Sequence, residues 1–337
     1  MMVEETAEIM VDVKDLNVIF DENHIIHDVS FKVKKGEIIG LFGISGAGKT
    51  TIIRVLTCQI EKRNWSGNVL ITDLSPEKKR NHPLILHNIG YVPQLELLNL
   101  YYELSPLANV EIFSSTYGLD TKMAKKIAQE LFEILDIPSD TWKKRVKHMS
   151  GGEKKRLSMA IGLIHKPSIL FLDEPTTGVD ASKRYSILSY LKKLNQKLDT
   201  TMFIITHDLE AALICDKTAI LREGRLLEFD SPQNLINSLP SKGVVARFEI
   251  SDLNETKITR ISEFPKVRKL LRVGNEVIEI LMDSFEENLP RLIQYMVERG
   301  IIVNSMSRDL ASFRRFFQIR IQEEEKREKL STNVGEA

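Results

Sequence analysis

Eight consecutive residues, Gly43-Ile44-Ser45-Gly46-Ala47-Gly48-Lys49-Thr50, have the make-up of a phosphate cradle. They satisfy the pattern of a glycine, four residues, then Gly-Lys-Thr or Gly-Lys-Ser. Glycines without a Cβ let backbone N–H groups face phosphate oxygens, and a helix starting there adds its positive dipole end. Lys49 would reach the β- and γ-phosphates, and the Thr50 hydroxyl would ligate Mg²⁺. Further on, the apolar run Ile169-Leu170-Phe171-Leu172 ends in Asp173-Glu174. Beside a phosphate cradle, the first acid completes the Mg²⁺ site, usually through water, and the second polarises an attacking water. Just upstream stands Ser150-Gly151-Gly152-Glu153-Lys154-Lys155-Arg156, a helix opening that presents a hydroxyl and free N–H groups to an anion. Singly these are modest signals: a cradle pattern arises by accident in about one such chain in a hundred, and Ser-Gly-Gly is an ordinary helix start. Their order and spacing carry the weight.

Such groups need rigid elements behind them. Apolar, β-rich bursts predict strands at Ile38–Phe42, Ser168–Leu172 and Met202–Thr206, and helical patterns follow at Lys49–Leu56, Gly151–His165, Ala181–Leu198 and Leu209–Cys215. This alternation predicts an α/β domain over residues 9–240. Residues 95–148 lack strong strands and contain helical patterns such as Ala124–Leu135, with Leu131, Ile134 and Leu135 on one face, so a helical subdomain is expected there. Pro232, Pro240 and Gly243 mark a break. Beyond it, strands at Val244–Ile250, Val267–Val273, Val277–Met282 and Ile301–Ser305, with a helix at Phe285–Arg299, predict a small α+β domain over residues 241–322. Residues 323–337 are polar and charged and read as disordered.

A chain of 337 residues, 42% hydrophobic and 28% charged, has room for two soluble domains. Its 47 Lys and Arg balance 47 Asp and Glu, which argues against nucleic acid as a partner. Cys58 and Cys215 suggest no disulfide framework and a reducing compartment. Met1–Glu8 is acidic, unlike a signal peptide, and no apolar run approaches the roughly 18–20 residues of a membrane span. The expectation is a cytoplasmic protein whose membrane role, if any, needs another chain.

In order and spacing the motifs resemble the ATP-binding cassette (ABC) transporter ATPases, from about Val11 to Asp230. The resemblance implies an α/β fold of the P-loop NTPase type with a helical subdomain, the small α+β domain being additional. It implies ATP and Mg²⁺, with Phe20, Gly43, Ser45, Gly46, Ala47, Gly48, Lys49, Thr50 and Thr51 around the nucleotide. Phe20 would stack on adenine, a contact worth about 1–3 kcal/mol. Gln94 would be the Q-loop glutamine, joining Thr50 and Asp173 at the metal; His207 would be the switch histidine at the γ-phosphate and Asp180 the D-loop acid. The implied catalytic set is Glu174, His207, Gln94 and Lys49. Ser150, Gly151, Gly152 and Glu153 would be the signature that contacts ATP held by the opposite subunit, so a complete site needs a homodimer. Met149, Glu153 and Ser45 depart from the commoner Leu, Gln and Asn, and Glu153 brings a negative charge toward the phosphates.

With one P-loop and no sustained heptads, transport is a better reading than translation or DNA repair. The cassette would then sit on the inner face of the cell membrane against a separate permease, docked through the helical subdomain. The runs Tyr102–Val110, Tyr117-Gly118-Leu119 and Glu263–Val267 resemble the drug- and antibiotic-export branch. An importer ATPase with a C-terminal ligand-sensing domain is the alternative.

Overall fold

A parallel strand covered on both faces reads as an unbroken apolar run, and the computed structural model, which describes residues 8–179 and 181–335, builds its main sheet from such runs. The chain divides into two compact units, one ending at Asp230 and the other beginning at Ser231.

In the first unit, β1 (Ile9–Phe20) and β2 (Asn23–Lys34) form a long hairpin. β3 (Ile38–Phe42) leads into the cradle and α1 (Lys49–Leu56) out of it. β4 (Trp65–Ile71) pairs with β1, giving an antiparallel sheet ordered β2-β1-β4. After α2 (His82–His87), β5 (Ile89–Val92) precedes the helical segment, α3 (Pro106–Thr116) and α4 (Thr121–Ile134). Then come α5 (Gly151–Leu163), β6 (Ile169–Asp173), α6 (Ala181–Leu198), β7 (Thr201–Thr206), β8 (Lys217–Arg222) and β9 (Arg225–Asp230). The main sheet is ordered β5-β6-β7-β3-β8-β9, parallel except for β9.

Every residue of β3 and of β7 is buried. At roughly 1.5–3 kcal/mol per fully buried large apolar side chain, these strands hold the sheet rigid beneath whatever its ends carry. Ile52, Ile53, Val55 and Leu56 of α1 join one buried cluster with Val11 and Val69 of the antiparallel sheet and Phe171 and Phe203 of the main sheet. The helix that opens at the cradle is thereby anchored to both sheets.

The second unit holds α7 (Pro232–Asn237), β10 (Val244–Ile250), α8 (Glu255–Ser262), β11 (Val267–Arg272), β12 (Val277–Met282), α9 (Phe285–Glu298), β13 (Val303–Leu310) and α10 (Phe313–Gly335). Its antiparallel sheet is ordered β11-β12-β10-β13. Phe248, Ile280, Leu292 and Met296 lie in its own core.

Several expectations need correction. The division falls at 230/231, not 240/241, because α7 packs on α10 inside the second unit. Residues 323–335 are helical, not disordered: their Glu, Lys and Arg are good helix formers, and Glu323 and Glu324 pair with Lys269 at 2.7 Å and Arg320 at 3.1 Å. The strand expected at Ile301–Ser305 starts at Val303 and runs to Leu310, its polar pattern reflecting an exposed edge. Leu209–Leu213 is a 3-10 turn instead of an α-helix. Among the described residues no helix is long and apolar enough to cross a membrane.

Candidate functional site

Parallel sheets bind ligands beyond the carboxyl ends of their strands, and register brings those ends level here. Leu41 and Asp173 each lie opposite Ile205, and Phe42 lies opposite Thr206. The cradle after β3, the acid pair closing β6, and His207 after β7 therefore emerge side by side. Gln94 follows β5, which pairs with β6.

Together they line one cavity of about 430 Å³, bounded by Ile25, Ser45, Gly46, Ala47, Gly48, Lys49, Thr50, Thr51, Gln94, Asp173, Glu174, Ile205 and His207. The glycines meet two separate demands. Gly48 caps α1 with φ 96°, and a Cβ there would stand 2.5 Å from Ile26. A Cβ on Gly43 would stand 2.4 Å from the Leu221 carbonyl. Lys49 folds back over the loop, Nζ donating to the carbonyls of Gly43 at 2.6 Å and Ile44 at 3.1 Å. Burial lowers its pKa, opposed by the charges of Glu174 and Asp173.

Asp173 is held up from the ordinary carboxylate range, chiefly by burial and also by the Glu174 charge, although the Tyr91 hydroxyl donates to its Oδ2 at 3.2 Å. Tyr91 in turn is pushed up to about 12, mainly by burial and further by Asp173. A cation against Asp173 would offset both its burial and the Glu174 charge. Thr50, Asp173 and Gln94 offer hydroxyl, carboxylate and amide oxygens, hard donors of the kind that would suit Mg²⁺.

Glu174 sits at φ 48°, a left-handed conformation that costs a non-glycine residue of order 1–3 kcal/mol. The turn aims its carboxylate into the cleft, where Thr206 Oγ1 and Thr177 Oγ1 donate to Oε2 at 2.8 and 3.1 Å. The His207 backbone N–H donates to Oε1 at 3.2 Å, and His207 Nδ1 lies 2.8 Å from the same oxygen. Sequence reasoning put these two residues on water and on phosphate; the structure pairs them with each other.

Ser150 and Gly151–Glu153 do not line this cavity. Ser150 caps α5, its Oγ accepting from the Glu153 N–H at 3.3 Å while Glu153 Oε2 accepts from the Ser150 N–H at 2.7 Å. This capping box accepts Glu as readily as Gln, so the charge of Glu153 is turned back on its own helix start. Phe20 is exposed at the tip of the β1–β2 hairpin and is not among the residues lining the cleft, whose large apolar side chains are Ile25 and Ile205. Asp180 lies outside the described residues. Sequence reasoning missed Tyr91, Thr177 and Thr206; Tyr91, three residues before Gln94 on a strand, and Thr206, the neighbour of His207, were the available signals.

The family profile described as "ABC transporter" matches residues 26–177. The chain is 32% identical over 230 residues to Nod factor export ATP-binding protein I of Rhizobium etli, covering 68% of this chain and 70% of that one. It is 31% identical over 321 residues to the methionine import ATP-binding protein MetN of Clostridium acetobutylicum, covering 87% and 99%. Among solved structures, the dimeric post-hydrolysis state of the ATP-binding cassette MJ0796 bound to ADP and Pi is 25% identical, with TM-score 0.58 over 66% of this chain and 98% of that one.

Proposed function

The chain belongs to the ABC transporter ATP-binding proteins, and from that premise we propose that two identical copies sandwich ATP–Mg²⁺ beneath a separate membrane permease and power export. ATP hydrolysis is the activity of the family. One observation carries the two-chain reading: the cradle, the acid pair, Gln94 and His207 share a single cleft, whereas Ser150 caps a helix outside it. A triphosphate in the cleft is embraced from one side only, and the serine of a second chain supplies the other. The dimeric relative bound to ADP and Pi supports this.

The residues divide the work. Backbone N–H groups of the cradle hold the phosphates, and Lys49 leaves the Gly43 and Ile44 carbonyls for the β- and γ-oxygens. Thr50 and Asp173, with Gln94 beside them, would hold Mg²⁺, which would supply positive charge against the phosphate oxygens. Glu174 exchanges its contact with His207 for the attacking water, and His207 turns to the γ-phosphate. The water oxygen attacks γ-phosphorus as the bond to the β-phosphate oxygen breaks, and the water's proton passes by way of Glu174 toward the released phosphate. Mixing an inactive Lys49→Ala chain with an inactive Ser150→Arg chain tests the arrangement. Each heterodimer should regain one intact site; no recovered hydrolysis at saturating ATP, with heterodimers demonstrated, would mean catalysis stays within one chain.

Export is supported by the Nod factor export relative and by the likeness of residues 102–119 and 263–267 to the export branch. The cavity of the second unit, about 560 Å³, also fits poorly with an amino-acid sensor. Phe248, Ile293, Val297 and Met306 line it, and Asn304 and Ser305 are its polar side chains, whereas a zwitterion needs a partner for each charge. Import is the second reading, favoured by the MetN alignment, which spans 87% of this chain. Inside-out vesicles carrying the chain with its permease should accumulate cargo when ATP is added outside; ATP-driven loss of preloaded cargo would reverse the direction.

A further inference from the structure

A lysine in a protein interior is held there by what it ties together. Lys155, on α5, has a side chain only 1% exposed. Its Nζ donates to the backbone carbonyl of Gln94 at 2.8 Å and lies 3.2 Å from Glu96 Oε1. One helical turn on, Ser158 Oγ donates to Asn99 Oδ1 at 2.9 Å, and Asn99 Nδ2 donates back to the Ser158 carbonyl at 3.4 Å. Positions three apart share a helix face, so one face of α5 grips the segment 94–99 at two points. Ser150 caps the same helix, and Gln94 lines the phosphate cleft.

We propose that Lys155 is a positioning residue that straps the Gln94 segment to α5, so that nucleotide in a chain's own cleft sets where that chain presents Ser150 to its partner. This rests on the paired-site reading above. The contact of buried Lys155 with the partly buried Glu96 and with the Gln94 carbonyl gives the strap a fixed length. A shift of Gln94 toward metal and phosphate is passed to the α5 N-terminus as a rigid movement instead of being absorbed by the loop. The phosphate contacts themselves lie on other elements, so the strap governs turnover more than ATP affinity.

The test is amide hydrogen exchange on the full chain, with and without a non-hydrolysable ATP analogue and Mg²⁺, in a Ser150→Arg background where a second chain cannot close on the nucleotide. With Lys155 present, nucleotide should slow exchange at residues 43–51, 94–99 and 151–157 together. With Lys155→Met, the slowing at 151–157 should fall at least three-fold while that at 43–51 persists. In the otherwise native chain, Lys155→Met should lower kcat roughly ten-fold with KM for ATP within two-fold, and Lys155→Arg should recover much of the loss. Should Lys155→Met fail to fold, Ser158→Ala, which removes the Oγ contact of the second tie and leaves Lys155 in place, should give a smaller loss in the same direction. Undiminished slowing at 151–157 in both variants, or a change in KM with kcat intact, overturns the strap. Full hydrolysis by Ser150→Arg alone would instead overturn the paired site, leaving the exchange result to judge the strap.

Discussion

At the scale of single residues, the cleft is set by how Glu174 and Lys49 are engaged. Both oxygens of Glu174 have partners in Thr177, Thr206 and His207, so its carboxylate is oriented before any water arrives. Glu174→Gln keeps the shape and removes the basic oxygen. It should lower kcat by about 10²–10⁴-fold, the range of a general base, while ATP still binds; gel filtration with ATP should then show a lasting dimer. Turnover at the native rate would take Glu174 out of the reaction. Lys49 lies against the carbonyls of Gly43 and Ile44 and gives the loop its side-chain cation. Lys49→Ala should weaken ATP binding by about 1.5–3 kcal/mol, roughly ten- to hundred-fold, in a titration with a fluorescent ATP analogue. An unchanged affinity would remove Lys49 from phosphate recognition.

At the scale of elements, α3 and α5 meet through an aromatic stack. Tyr117, closing α3, lies on His165, two residues past the end of α5, with centroids 3.8 Å apart and planes 2° from parallel. His165 Nε2 is 3.0 Å from the Ile89 carbonyl, to which the neutral ring donates. Burial lowers its pKa from 6.5 to about 4. A histidine depressed in the folded state resists protonation there and accepts it on unfolding. Its contribution to stability is therefore complete above pH 6.5 and is lost as pH falls toward 4. The shift sets a ceiling of about 3 kcal/mol, reduced by partial solvent access. Urea midpoints should fall between pH 7 and pH 5 in the native chain. His165→Phe should flatten that slope, at a cost of about 1 kcal/mol at pH 7 from the lost hydrogen bond; an equal slope in the variant would assign the acid sensitivity elsewhere.

At the scale of the whole molecule, the two units have separate cores, one holding Val11, Ile52 and Phe171 and the other Phe248, Ile280 and Leu292. Every residue lining the phosphate cleft precedes Asp230. A chain truncated after Asp230 should fold cooperatively and bind ATP within two-fold of the full chain, while dimer affinity or permease-coupled hydrolysis changes. Circular dichroism with nucleotide titration checks this. A folded truncate that no longer binds ATP would make the second unit part of the site.

The cradle, the acid pair and the strands Ile38–Phe42 and Met202–Thr206 were legible in the sequence because each is a local matter. Phosphate binding needs glycines beside a lysine within one turn of chain, and a strand buried on both faces must be apolar throughout. The charged tail misled because composition alone leaves open what a helix will pair with; Lys269 and Arg320 decided that α10 continues past residue 323. Tertiary structure alone revealed three contacts: Glu174 with His207, Tyr91 with Asp173, and Lys155 with Gln94. Each joins residues 33 to 82 positions apart in the chain. Side-chain periodicity reports which face is buried but not which distant backbone atom lies across from it. Only the order of strands in the sheet, and the packing of α5 against β5, brings those atoms within hydrogen-bonding distance.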